Sequence, residues 1–301
     1  MLSNFIQGSA FDEKSREKLI FAISEKYPFA KCSIISKSSC GRNIHSIQIG
    51  AAKKSALFVG AFHGMEWLTS LLLLVFAERV CQSIKNDEKV AGISIKPFLQ
   101  KKGIVIIPCI NPDGVEISIN GKNSAGPYDT LVESVSGGIT SSWQANARGV
   151  DLNHNFNAGW EELHKLEEKR GIKLPAPTRY GGPTPESEIE TKALVDFCLE
   201  KNFRHAIAFH SQGEEIYWKY GNTVSKNSEL MAHIFARSSG YKLSEPEGLA
   251  VGGGFKDWFI ERFNKPAFTI EIGKGKNPLP INDIHNIYSR LEEMLVFATI
   301  M

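Results

Sequence analysis

The chain has 301 residues, 42% of them hydrophobic and 23% charged, with 35 Lys and Arg against 33 Asp and Glu. Such a composition suits one large α/β domain with a sizeable core, and the near balance of charge excludes a charge-driven partnership with nucleic acid or an anionic membrane. The five cysteines, Cys32, Cys40, Cys81, Cys109 and Cys198, are odd in number and show no CxxC spacing. That argues against thiolate-bound structural zinc or a disulfide framework, and for a reduced compartment.

The first eight residues carry no basic segment leading into a long apolar stretch, so no secretory signal is read and a cytoplasmic location is expected. Residues 15–27 have helical spacing of Leu19, Ile20, Ala22 and Ile23 and stop before Pro28. Strands are predicted over 31–36 and 44–49, with Gly41-Arg-Asn as the turn, and over 56–62. A buried helix over 66–84 follows; its greasiest part, 67–77, is too short to span a bilayer. Residues 103–108 are all-apolar, as in a strand buried on both faces, and Asn111-Pro-Asp-Gly114 is expected to turn it off.

Residues 115–185 show little periodicity, which in a compact domain marks a functional stretch. Within them, 161–170 reads as a charged helical turn facing solvent, with His164 exposed and incidental. Helix is predicted over 185–201, strand over 205–209, a short strand over 215–218 and helix over 228–239. A helix opened by Gly252-Gly-Gly254, a strand over 266–272 and an amphipathic helix over 281–297 complete the chain. Alternation of this kind predicts one α/β/α sandwich around a mixed, mostly parallel twisted sheet, a single domain over 1–301 with a lead-in over about 1–14.

Two of these strands deliver metal-ligand types into Gly-containing turns. The first leads into His63 and Glu66, the second into His210 in Phe-His-Ser-Gln-Gly213. Two His and one Glu suit a catalytic zinc that keeps a position for water. Taken singly these residues have plainer readings: a Glu in a first helical turn favours the helix dipole, and a lone strand His is a hydrogen-bonded core residue. Glu271 ends the apolar strand 267–270, where a carboxylate is costly unless it has a purpose; its alternative is pairing with Lys274 or Lys276. Arg148, read alone, is a surface-loop cation.

The set His63-Gly-Met-Glu66, Asn111-Pro-Asp-Gly114, Asn146-Ala-Arg-Gly-Val-Asp-Leu-Asn-His-Asn-Phe156, Tyr180-Gly-Gly-Pro, Ser187-Glu-Ile-Glu190, His210-Ser-Gln-Gly213 and Phe268-Thr-Ile-Glu-Ile272 closely resembles the zinc carboxypeptidase family. Within it the chain looks most like the bacterial branch of γ-D-glutamyl-L-diamino acid peptidases. The matches run from about Lys37 to Glu271. The resemblance implies one zinc ion held by His63, Glu66 and His210, Glu271 as general base, and Arg148 as the group that polarises the scissile carbonyl.

Two departures bear on substrate binding. Family exopeptidases carry Asn-Arg where this chain has Asn153-His154, and an imidazole cannot reproduce a bidentate guanidinium fork. They also place a Tyr about eight residues before an Asp-Trp pair, a position occupied here by Leu249. An unusual acceptor is therefore expected, a peptidoglycan stem peptide with γ-D-Glu and diaminopimelate, in recycled muropeptides if the chain is cytoplasmic. The alternatives are an N-acyl amino acid deacylase and a zinc-retaining protein that only binds cell-wall peptides; the presence of Glu271 argues against the last. Gly252-Gly-Gly254 reads as substrate wall rather than a phosphate loop. Glu214 and Glu215 read as a solvated acidic turn or partners for the extra amine of diaminopimelate, and Cys109 and Cys198 as small core residues.

Overall fold

The predicted apolar runs form four adjacent parallel strands at the centre of one eight-stranded sheet, and the turns at their ends carry the chemistry. The structure is a computed structural model describing residues 10–222 and 224–301; most of the expected lead-in lies outside these residues. The first half contains α1 (Glu13–Lys26), β1 (Lys31–Lys37), β2 (Asn43–Ile49), β3 (Ala56–Val59), α2 (Leu68–Asn86), a short α3 (Lys96–Leu99), β4 (Ile104–Ile107), α4 (Pro112–Asn120) and α5 (Asp129–Ser136). The second half contains α6 (Trp160–Lys169), α7 (Ile189–Lys201), β5 (Ala206–Ser211), β6 (Glu215–Tyr217), α8 (Ser228–Ser239), β7 (Lys242–Leu243), α9 (Phe255–Phe263), β8 (Ala267–Ile272) and α10 (Ile284–Ile300).

The strand order is β1-β2-β4-β3-β5-β8-β6-β7. Strands β4, β3, β5 and β8 run parallel, whereas β1, β2 and β6 enter through antiparallel pairings. Side-chain alternation splits the strands between two cores. Phe58, Ile106, Phe209 and Ile270 face a layer containing α1, α2, α8 and α10. Leu57, Val105, Ala208 and Ala267 face the layer of α7 and α9. The α/β/α sandwich and mixed sheet are those expected from the sequence. Helix α2 has the length and apolarity of a membrane span, but 83% of its apolar window is buried inside the fold.

Several boundaries differ from the sequence reading. Strand β3 ends at Val59, because Gly60 and Ala61 leave the ladder and Ala61 takes a left-handed φ of 49°. Asn111-Pro-Asp-Gly does not simply stop β4; it starts α4, with the Asn111 side chain accepting from Gly114 N at 2.9 Å and Pro112 in the first turn. The stretch 115–185 is not wholly irregular, since it holds most of α4 together with α5 and α6. Helix α7 begins at Ile189 rather than near Pro185, because Glu188 N bonds the Asn155 side chain at 3.2 Å and the preceding residues follow the neighbouring loop.

Candidate metal centre

Parallel strands point their C-terminal ends to one edge, and that edge is where this sheet places its reactive groups. His63 follows β3, while His210 lies in β5 and Glu271 in β8, directly opposite each other in the ladder. Glu66 is brought alongside by a single 3-10 turn, Gly64–Glu66. Only glycine fits at 64: a Cβ there would lie 2.2 Å from Gly114 O and 2.8 Å from Trp143 O. The close backbone approach locks the turn against α4 and the 143–146 loop.

His63 Nδ1 lies 2.8 Å from Glu66 Oε1, His210 Nδ1 lies 3.1 Å from Glu66 Oε2, and the two Nδ1 atoms are 3.3 Å apart. Two nitrogens bound tetrahedrally to zinc at about 2.0–2.1 Å sit roughly 3.3 Å from each other. The three side chains therefore converge at the spacing a zinc ion requires, and they are the one such group of His, Cys and acidic side chains among the described residues. Among the described residues, neither facing nitrogen has a hydrogen-bond partner other than Glu66 and the opposite ring. The donor set, two imidazoles and a carboxylate, is that of open catalytic zinc sites.

Neighbours hold these ligands in orientation. Asp151 Oδ1 lies 3.1 Å from His63 Nε2, Ser211 N donates to Glu66 Oε2 at 3.2 Å, and Phe62 stacks on His210 at 5.1 Å between ring centroids. Burial pushes Glu66 up, but the His63 charge and the hydrogen bonds from both imidazoles outweigh it and bring it to about 2. Burial alone would lower His63, yet the Glu66 and Asp151 charges raise it well above its ordinary value. His210 is lowered, chiefly by burial. Glu271 is displaced in the opposite sense to Glu66: burial, then the nearby Glu66 charge, raise its carboxyl well above the usual range. It makes no ion pair among the described residues, and Lys274 pairs instead with Glu214 at 3.0 Å.

The site opens into a cleft of about 580 Å³ lined by His63, His210, Glu271, Asn153, His154 and Leu249, among others. Six of the expected residues thus share one cavity, with Glu66 beneath. Asn153 Oδ1 accepts from Phe255 N at 3.1 Å, so this residue also fixes the start of α9. Leu249 sits on a 3-10 turn, Gly248–Ala250, and offers no hydroxyl. Gly252 and Gly254 line the cleft, and Gly253 packs so tightly that a Cβ would lie 2.8 Å from His154 O.

Arg148 departs from its expected role. It does not line the cleft; its side chain is 44% exposed, with Nε 3.7 Å from Glu188. Asn146 Oδ1 accepts from both Arg148 N and Val150 N and so closes the turn that carries Arg148. The solvent-facing reading of 161–170 holds for Glu161, Glu162, Lys165, Glu168, Lys169 and Arg170, which are exposed, but not for Glu167. Glu167 is fully buried, and its carboxylate meets His154 Nδ1 at 2.7 Å, His164 Nδ1 at 3.2 Å and Gly181 N at 3.1 Å. His164 is consequently a structured residue, stacked on Trp160 at 4.5 Å. Glu214 is an ion-pair partner of Lys274 and Arg290 rather than a solvated turn, and Glu215 accepts from Tyr217 Oη at 2.7 Å.

Sequence reasoning passed over Asp151, Gln144, Glu167, Arg179, Tyr217 and Lys256. All but Glu167 line the cleft. Asp151 lies within the Asn146–Phe156 motif, two residues before Asn153, and that placement is its signal in the sequence. Glu167 gave no signal, since it sits in a run of charges with helical spacing.

Comparison with known proteins places the chain. The zinc carboxypeptidase family model matches residues 17–293. The γ-D-glutamyl-L-diamino acid endopeptidase 1 of Lysinibacillus sphaericus is 36% identical over 265 residues, 87% of this chain but 65% of that protein. An uncharacterized Bacillus subtilis protein, YqgT, is 31% identical over 293 residues, 96% of this chain and 77% of YqgT. Among solved structures, bovine thrombin-activatable fibrinolysis inhibitor in complex with tick carboxypeptidase inhibitor has a TM-score of 0.73 at 22% identity. That match covers 98% of this chain and 97% of the other, and it speaks for the fold alone. Nearly the full length of the sequence and the spacing of three donor atoms therefore agree: this chain belongs to the zinc carboxypeptidase family of metallopeptidases.

Proposed function

We propose that this chain hydrolyses the amide between the γ-carboxyl of D-glutamate and diaminopimelate in peptidoglycan stem peptides. The observation that carries the reading is the state of position 154. An ordinary C-terminal exopeptidase needs a guanidinium there, and this chain has an imidazole tied to the buried Glu167 at 2.7 Å. The relative from Lysinibacillus sphaericus, named for the γ-D-glutamyl-L-diamino acid bond, supplies the substrate class.

His63, Glu66 and His210 would hold the zinc, which would supply Lewis acidity sufficient to bring the pKa of a water to about 7. Asp151 keeps the His63 ring in place through Nε2, leaving Nδ1 for ligation. Glu271, across the ladder from His210 and raised well above the carboxylate range, accepts the proton of the attacking water and passes it to the leaving amine.

Defined tri- and tetrapeptides, followed by mass spectrometry, test the proposal. Cleavage after γ-D-Glu is the expected result. Release of C-terminal residues from ordinary L-peptides, with stem peptides untouched, overturns it, and so does hydrolysis confined to N-acyl amino acids.

A further inference from the structure

With no guanidinium at 154 and Arg148 outside the cleft, the cleft still presents cations, and their pairing sorts them. Lys256 is buried and already committed: Nζ donates to Lys219 O at 2.8 Å and to the Asp257 carboxylate. His154 is committed to Glu167. Arg170 and Arg179 line the cleft, are exposed, and have no side-chain partner among the described residues.

These two differ in how their main chains are held. Arg170 closes α6, its N–H bonded to carbonyls of its own helix. Arg179 is pinned to the metal centre's own support. Its N–H donates to Asp151 Oδ2 at 2.9 Å, while Oδ1 of the same carboxylate holds His63 Nε2 at 3.1 Å. The next residue reinforces this, since Tyr180 O accepts from Asp151 N at 2.8 Å. Arg179 also adopts a left-handed φ of 65°, which side-chain-bearing residues rarely take. Strain of this kind persists only where the surroundings over-determine it, and it gathers at ligand-binding sites. Here it holds an unpaired guanidinium over the cleft, two hydrogen bonds from a metal ligand.

We infer that Arg179 binds a substrate carboxylate beside the scissile amide, doing from another loop what position 154 cannot. This inference rests on the stem-peptide reading above. A γ-linked glutamyl amide carries such a group by necessity: the α-carboxylate left free by γ-linkage lies four bonds, about 5 Å, from the scissile carbonyl carbon. The diamino acid supplies a second carboxylate on the amine side. Either one suits the planar, bidentate fork of arginine, and a free carboxylate is distinguished from its amide by charge.

The test is calorimetric binding of L-Ala-γ-D-Glu-diaminopimelate to zinc-loaded protein carrying Glu271→Gln, with and without Arg179→Ala, alongside kinetics of the active protein. Charge-assisted hydrogen bonds of this kind correspond to losses of about 10- to 100-fold. We expect Arg179→Ala to weaken binding and raise KM by that factor with kcat changed less than about threefold, as uniform binding requires. Arg179→Lys recovers part of the loss. Amidating the D-Glu α-carboxylate or the diamino acid carboxylates identifies the source: one amide costs the intact protein the same factor and costs Arg179→Ala nothing further.

Unchanged binding in Arg179→Ala overturns the inference, as does a loss that appears only in Arg170→Ala. A protein that binds the peptide through Arg179 without cutting it defeats the proposed reaction and leaves the carboxylate site standing. Absence of binding in the intact protein defeats both.

Discussion

The metal corner and the opposite wall of the cleft are built on different principles. His63, His210 and Glu271 stand at the ends of parallel strands whose apolar residues are buried, and their positions follow from ladder register and one tight turn. The wall, from Gln144 to Tyr180, contains little regular structure at the cleft and is held by buried polar side chains: Asn111, Asn146, Asp151, Asn155 and Glu167 are almost or wholly excluded from solvent. Each satisfies main-chain groups that no helix or strand could serve. A sheet edge places reactive atoms with few options, whereas a wall of side-chain-to-backbone bonds can be redrawn without disturbing the sheet. The contrast teaches where this family can keep its chemistry while changing its selectivity.

The contrast breaks most visibly at the metal corner. His210→Ala removes one of three donors, and the expected result is loss of zinc on dialysis, measured by elemental analysis, together with activity at the background of the assay. Glu271→Gln should separate chemistry from ligation: turnover falls by about 10²–10⁴ while zinc content stays at that of the intact protein. A zinc-replete Glu271→Gln protein with full activity would remove Glu271 from the mechanism.

The pH profile sharpens the same point. Glu271 must be unprotonated to take a proton, and its carboxyl lies well above the usual range. In the metal-free protein the Glu271 carboxyl is therefore expected to lose its proton only above the ordinary glutamate pKa of about 4.3, read by infrared titration against Glu271→Gln, and zinc loading should lower that midpoint.

Asp151→Asn tests the join between the two regions, since Asp151 serves His63 on one side and Arg179 on the other. Loss of such a partner costs about 10- to 100-fold in metal affinity, read by competition with a chelator. The fold also depresses the Asp151 carboxyl far below its usual range, where burial is outweighed by the His63 and His154 charges and by hydrogen bonds. Its contribution to the metal-free protein is present above about pH 4 and is lost as pH falls from there. Urea unfolding across acid pH should show that limb flatten in Asp151→Asn.

Within the wall, Glu167→Gln should destabilise by about 1–3 kcal/mol, because two imidazoles and a backbone N–H lose a charged acceptor. Denaturant midpoints measure it, with zinc affinity unaltered.

The same division governs what the sequence disclosed. Strands β3, β4, β5 and β8 were legible as apolar runs, and with them the ends where His63, His210 and Glu271 stand, because burial on both faces leaves a compositional trace. Glu66 was legible through its three-residue spacing from His63. The wall was not. Arg148 approaches Glu188 at a half-exposed position, and nothing in Ala-Arg-Gly announces which way a loop side chain projects. Glu167 was taken for a solvent-facing charge among others, although its burial depends on His154, thirteen residues earlier. Helix α4 was misread as a turn because Asn-Pro-Asp-Gly satisfies turn chemistry and helix capping equally well.

Glu167 has a bearing on how selectivity can drift in descendants of this chain. A single His154→Arg exchange would not install a terminal-carboxylate clamp, because the incoming guanidinium meets an anion with no solvent exposure at 2.7 Å from the present ring. The newcomer is captured internally and never offered to a ligand. Passage between the two kinds of pocket therefore requires residues 154 and 167 to change in concert, since losing Glu167 alone leaves His154 without its carboxylate partner. That barrier is a reason for such lineages, once separated, to remain apart.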